Sequence, residues 1–175
     1  MKYFSGVGSR ETPTKILHVI ENLSYKLGST GFHLRSGGAD GADSAFQEGF
    51  PTGMKMEIYI PWNGFNNHKE GQVGIIVGVG LSNWIEAEKL AKTIHPAWEK
   101  LTIGAKALHT RNIYQVLGED LSTPSKFLVC YAKPQGDSVH GGTRTAWEVA
   151  KMHHIPCFNL YDSATLERIQ KYLEE

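Results

Sequence analysis

Three short glycine turns, each tied to a run of β-forming residues and leading into a helical pattern, constrain this chain more than any other feature. The first, Gly6-Val7-Gly8-Ser9-Arg10, follows Lys2-Tyr3-Phe4. The second, Ser36-Gly37-Gly38-Ala39-Asp40-Gly41-Ala42-Asp43, follows Phe32-His33-Leu34. The third, Gly141-Gly142-Thr143-Arg144-Thr145, opens the helical stretch Ala146 to Lys151 and is separated by a loop from the strand-like Phe127 to Tyr131. Strand, tight turn, helix is how a parallel α/β sheet aims backbone N–H groups and helix N-termini at a phosphate. Three such turns point to an anionic ligand of nucleotide size.

The remaining pattern agrees with that sheet. Residues 2–7, 32–35, 55–60, 127–131 and 155–160 read as strands. Ile16, Leu17, Val19, Ile20, Leu23 and Leu27 recur at helical spacing, and Thr12-Pro13 reads as an N-cap with proline at the first helical position. Further helices are expected over residues 42–48, from Trp84 to before Pro96, over 105–116, from Thr145, and from Ser163, which is expected to cap the last one. Residues 61–96 form the least regular stretch and are expected to be an insertion, in which Val73 to Leu81 reads equally as a strand or as part of a lid. The alternation predicts one domain over 1–175. Its fold is expected to be a Rossmann-like three-layer α/β sandwich, with a mainly parallel central sheet flanked by helices.

Composition narrows the function. The 175 residues are 41% hydrophobic and 21% charged, enough for a real core. Eighteen Lys and Arg balance eighteen Asp and Glu, which disfavours bulk electrostatic binding to nucleic acid. The longest apolar run, Val73 to Leu81, is too short to span a bilayer, and the N-terminus lacks a secretory pattern. Cys130 and Cys157 lie in strand-like runs and read as buried thiols, so a cytoplasmic location is expected. The eight histidines are scattered or adjacent, without ligand spacing, so no metal and no cofactor is expected. Neither a Gly-x-Ser-x-Gly nucleophile elbow nor a P-loop is present.

The motifs resemble those of the SLOG superfamily of Rossmann-like proteins, in two of its branches. Gly8-Ser9-Arg10, Ser36 to Asp43 and the helical pair Arg111-Asn112 are similar to motifs of the DNA-processing protein A (DprA) family. Gly141-Gly142-Thr143-Arg144-Thr145-Ala146-Trp147-Glu148 resembles the Pro-Gly-Gly-x-Gly-Thr-x-x-Glu signature of LOG-type phosphoribohydrolases, which is preceded by a helical Arg where Arg111 stands. Two departures are plain: His140 replaces the proline, and Arg144 replaces the third glycine and would narrow a phosphate pocket. The likeness runs from Tyr3 to Leu160, apart from the stretch between Pro61 and Pro96.

That resemblance implies a site at the C-terminal edge of the sheet. Gly8, Ser9, Arg10, Ser36, Gly37, Gly38, Asn112, Gly141, Gly142, Thr143 and Thr145 would line its phosphate end. Asp43 would cap a helix or meet a ribose hydroxyl. On the LOG pattern, Arg111 would hold phosphate or ribose through its planar fork, and Glu148 would stabilise an oxocarbenium-like sugar as an N-glycosidic bond breaks. A first-turn Glu favoured by the helix dipole accounts for Glu148 equally well. The expected function is therefore binding of a phosphorylated nucleoside, with glycosidic cleavage as its sharpest form. A sensor without turnover and a DprA-like grip on single-stranded DNA are the alternatives, the DNA reading being disfavoured by zero net charge. A membrane partner is not expected, and a homodimer building each pocket from two chains remains open.

Overall fold

The computed structural model describes residues 1–175, and its backbone follows from the alternation of apolar strands with amphipathic helices. In chain order the main elements are β1 (Lys2–Gly8), α1 (Thr14–Ser29), β2 (Phe32–Ser36), α2 (Ala42–Gly49), β3 (Met56–Ile60), β4 (Ile75–Val77), α3 (Trp84–Ile94) and α4 (Ile103–Leu117). Then come β5 (Phe127–Tyr131), the two-residue strands β6 (Pro134–Gln135) and β7 (Ser138–Val139), α5 (Arg144–Met152), β8 (Cys157–Asn159) and α6 (Ser163–Glu174). Six strands form one sheet in the order β4-β3-β2-β1-β5-β8, with every neighbouring pair parallel. Phe4 pairs with Leu34 on one side and with Phe127 on the other, so β1 lies at the centre.

Burial on both faces explains the near-continuous apolar runs in the inner strands. One face carries α1, α2 and α6 over Phe4, Ile20, Leu23, Phe46 and Ile58. The other carries α3, α4 and α5 over Tyr59, Ile113, Tyr114, Leu128 and Val149. The result is the expected three-layer α/β sandwich.

Local differences from the sequence reading have simple causes. Within the stretch expected as an insertion over 61–96, the helix expected from Trp84 is α3, and the undecided run Val73 to Leu81 supplies the edge strand β4, whose Ile75 pairs with Ile58. Thr12 does not cap α1: its hydroxyl donates to the Ser9 carbonyl (2.6 Å), and Pro13 stands at the cap position. The cap of α6 is Asp162 rather than Ser163, because its carboxylate accepts from the Thr165 N–H at 2.9 Å. The loop after β5 carries the β6–β7 hairpin. Both cysteines are free thiols. No helix is long and apolar enough to cross a membrane.

The strand order fixes where a ligand can sit. The chain runs outward from β1 to β4, then returns to the other side of β1 with β5. A crevice therefore opens beyond the carboxyl ends of β1 and β5, at the switch point of the sheet. Two glycines shape its rim. A Cβ on Gly8 would lie 2.8 Å from the Ala42 Cβ and 2.9 Å from the Tyr131 backbone. Gly41 has φ +80°, and a Cβ there would lie 2.4 Å from the Ser9 carbonyl oxygen. The end of β1 and the start of α2 thus pack backbone against backbone, with the Ala42 N–H donating to that same carbonyl (3.1 Å).

Gly53 has a similar φ of +85° but nothing within 4 Å of its would-be Cβ. Gly53→Ala is therefore expected to lose about 1 kcal/mol from left-handed strain alone. Gly41→Ala, adding a backbone clash, is expected to lose at least about 3 kcal/mol. Urea denaturation of the two variants measures the gap, and equal losses would contradict the close packing.

Candidate functional site

A cleft of about 480 Å³ opens at the switch point. Gly8, Ser9, Arg10 and Glu11 after β1 form one wall, with Ala39 and Asp43 beside them. Ala132 and Lys133 after β5, then His140 to Thr143 leading into α5, form the opposite wall. Between them α4 presents Leu108, Arg111, Asn112 and Gln115, at the i, i+3, i+4, i+7 spacing of one helical face.

Arg111 forms the centre of the floor and is only 4% exposed. Its Nε donates to Asn112 Oδ1 (3.0 Å), and its Nη1 donates to the carbonyls of Gly37 and Tyr59, the latter at 3.0 Å. Nη2 makes no hydrogen bond within the protein, yet it is not sealed from solvent. Burial pushes the guanidinium pKa down to about 10, and the nearby Asp43 carboxylate opposes that shift. The Phe65 ring centre lies 5.3 Å from the guanidinium carbon, a cation–π contact.

Asp43, also 4% exposed, has its pKa pushed up to about 6 by burial. Arg111 and the N–H groups of Ala39 and Gly8 pull the other way, and the Ala39 N–H reaches Oδ2 at 3.4 Å. One amide of the second glycine turn, that of Ala39, is therefore aimed at the chain's own carboxylate rather than at an external phosphate.

His109 lies on the α4 wall with its Nδ1 sharing a hydrogen bond with Thr145 Oγ1 (2.8 Å) and its ring 4.6 Å from that of His95. Burial, then His95 and Arg111, lower its pKa to about 4, so the ring is neutral at pH 7. Asn112 Nδ2 donates to the Gly142 carbonyl and ties α4 to the turn before α5. That turn, Gly141–Thr143, leads with open glycines into a nine-residue helix, whose N-terminal dipole favours an anion. Arg10 and Lys133 stand exposed on either side of it.

Most residues expected from the sequence meet here: Gly8, Ser9, Arg10, Asp43, Arg111, Asn112, Gly141, Gly142 and Thr143 all line the cleft. Ser36, Gly37, Gly38, Thr145 and Glu148 do not. Ser36 Oγ donates to the Gly6 carbonyl (2.6 Å) and ties β2 to β1. Gly37 gives Arg111 a carbonyl, Gly38 accepts from Asn66 Nδ2 (2.9 Å), and Thr145 positions His109. Glu148 comes five residues after Thr143, roughly 140° further round a helix. It sits near Cys157 of β8, whose thiol is pushed up to about 11 mainly by burial, with Glu148 adding to the shift. Of the two residues of the LOG-type pattern, Arg111 thus lines the cleft and Glu148 does not. Arg144 does not narrow the pocket, because its Nη1 reaches Gln135 Oε1 on β6 (3.4 Å).

The sequence reading missed His109, Gln115, Lys133 and His140. Gln115 was legible in principle, four residues after Arg111 on the same helical face. Lys133 and His140 depend on the course of the β6–β7 loop, which no spacing reveals.

No family model matches the chain, and no curated protein matches it significantly. Among solved structures it is similar to DNA processing protein A from Helicobacter pylori, a protein described for its single-stranded DNA binding mode. The two share 16% identity over 99% of this chain and 80% of that one, with a TM-score of 0.39. A likeness at this level says nothing of ligand or activity.

Asp43 and His109 give the cleft two opposed pH dependences. Asp43 rises from 3.8 to about 6 on folding. Between those values the folded chain keeps a proton that the unfolded chain releases, so stability falls as pH rises, by about 3 kcal/mol in total. His109 falls from 6.5 to about 4. Between those values the unfolded chain binds a proton that the folded chain rejects, so stability rises with pH. Relative to wild type, Asp43→Asn is expected to gain stability as pH rises from about 4 to about 6, and His109→Gln to lose it. Urea titrations of the three proteins across that window test this, and parallel profiles would refute it.

Proposed function

We propose that this chain binds a phosphorylated nucleoside in the switch-point cleft and holds it without cleaving its glycosidic bond, as a sensor or sequestering protein does. The observation that carries this reading is Arg111, a buried cation whose Nη2 finds no acceptor in the protein and has access to solvent at the cleft. A solvent-reached donor of this kind is free to exchange water for a ligand acceptor, and charge-assisted bonds from arginine to ligand oxygens are among the stronger ones. The open turn before α5, with Arg10 and Lys133 beside it, supplies a place for the phosphate. The absence of turnover rests on the carboxylates. Glu148 lies outside the cleft, and the carboxylate of Asp43 is engaged by the Ala39 amide and lies close to the Arg111 charge.

The test is thermal denaturation of the purified protein with nucleoside monophosphates, dinucleotide cofactors and a single-stranded oligodeoxynucleotide, with chromatography tracking free base. A monophosphate at a hundred times its Kd is expected to add about 2.7 kcal/mol and raise Tm by roughly 5–10 °C, with no base released. Lys133→Ala, an exposed change, is expected to leave the unliganded Tm unaltered and weaken binding about ten-fold. Free base that disappears in Glu148→Gln would instead establish a glycosidase. A Tm shift from the oligonucleotide alone would move the reading to strand binding.

A further inference from the structure

The floor of the cleft holds a second group of side chains with no counterpart in the phosphate turn. A Cβ on Gly37 would lie 2.1 Å from Gln115 Nε2, 2.7 Å from Arg111 Nη1 and 2.7 Å from Asp43 Oδ2. Three side chains from α2 and α4 thus meet over one bare α-carbon. All three line the cleft, and each is at least nine-tenths buried. The Gln115 side-chain amide makes no hydrogen bond within the protein and, like Arg111 Nη2, is not sealed from solvent. The Asp43 carboxylate accepts from the Ala39 amide (3.4 Å) and keeps acceptor capacity beyond it.

A ligand group on this floor must satisfy donors and an acceptor at once. An anion would meet the Asp43 carboxylate, and an amine would meet the Arg111 guanidinium. A pair of neighbouring hydroxyls fits both demands, because each donates one hydrogen bond and accepts others. Position argues the same way. Asn112, adjacent to Arg111 in sequence, is bonded to the Gly142 carbonyl, so the floor adjoins the phosphate turn directly. In a nucleoside monophosphate the sugar, rather than the base, adjoins the phosphate.

Resting on the nucleotide reading above, we infer that Asp43, Arg111 and Gln115 form a subsite for the cis-diol of ribose, which restricts the ligand to ribonucleotides. Asp43 accepts from one hydroxyl, while Arg111 Nη2 and the Gln115 amide donate to the pair. Gly37 is required because any side chain there would fill the place where the three converge.

Isothermal titration with adenosine, guanosine, cytidine and uridine monophosphates, their 2′-deoxy forms and the arabinosyl epimer of the tightest binder tests the subsite. The ribonucleotide is expected to bind about 10- to 100-fold more tightly than both its 2′-deoxy and arabinosyl counterparts, the range for losing hydrogen bonds to charged groups. Asp43→Asn is expected to bring that ratio close to one while binding of the 2′-deoxy form persists. Should that variant fail to fold by circular dichroism, Gln115→Ala takes its place and is expected to weaken the ribonucleotide more than the 2′-deoxy form. Equal affinity of the wild type for all three sugars would overturn the subsite and leave the nucleotide reading standing. No binding of any nucleotide would overturn both.

Discussion

The buried guanidinium of Arg111 is the contact on which the site depends. Removing a charge from water costs several kcal/mol, and an arginine stays buried only where its geometry is well matched. Here the match comes from separate parts of the chain: the Tyr59 carbonyl closing β3, the Gly37 carbonyl after β2, the Asn112 side chain and the nearby Asp43 carboxylate. Holding that one group fixes α4 against the carboxyl ends of two strands. Through Asn112 and Gly142 it also fixes the turn that begins α5. The cleft is the space left when those elements are tied together around a cation.

A chain of zero net charge can in this way present a locally cationic pocket. Arg10, Arg111 and Lys133 face Glu11 and Asp43 there, and the N-terminal end of α5 adds its partial positive charge. Within the pocket the charges are separated in space. The exposed cations and the α5 turn lie on the walls, while the floor sets the Asp43 carboxylate against Arg111. The Ala39 amide of the second glycine turn, which a phosphate would otherwise claim, is already answered by Asp43. That division suits a ligand anionic at one end and neutral but polar next to it.

Much of this was legible in the sequence because it is local. The strands at 2–8, 32–36 and 127–131 follow from apolar runs ended by glycine turns, and α1 and α4 follow from helical periodicity. Arg111, Asn112 and the Gly141–Thr143 turn were legible as motif residues, and the fold brings them to one cleft. Less local features were not. The strand β4 is three residues long and exists through its pairing with β3, so periodicity alone left its stretch undecided. Glu148 fits a signature in sequence, but helical register carries it away from the cleft.

The order of apolar runs, turns and amphipathic stretches by itself determined a parallel α/β sandwich with its polar turns along one sheet edge, since each of those features is set within a few residues of chain. Which polar side chains share the floor was decided only by tertiary structure. Gly37 after β2, Asp43 on α2, and Arg111 and Gln115 on α4 meet only because those three parts of the chain converge in the folded protein. The altered pKa values of Asp43 and Arg111 arise in the same way, because burial and charge proximity are properties of assembled space and leave no spacing in the chain.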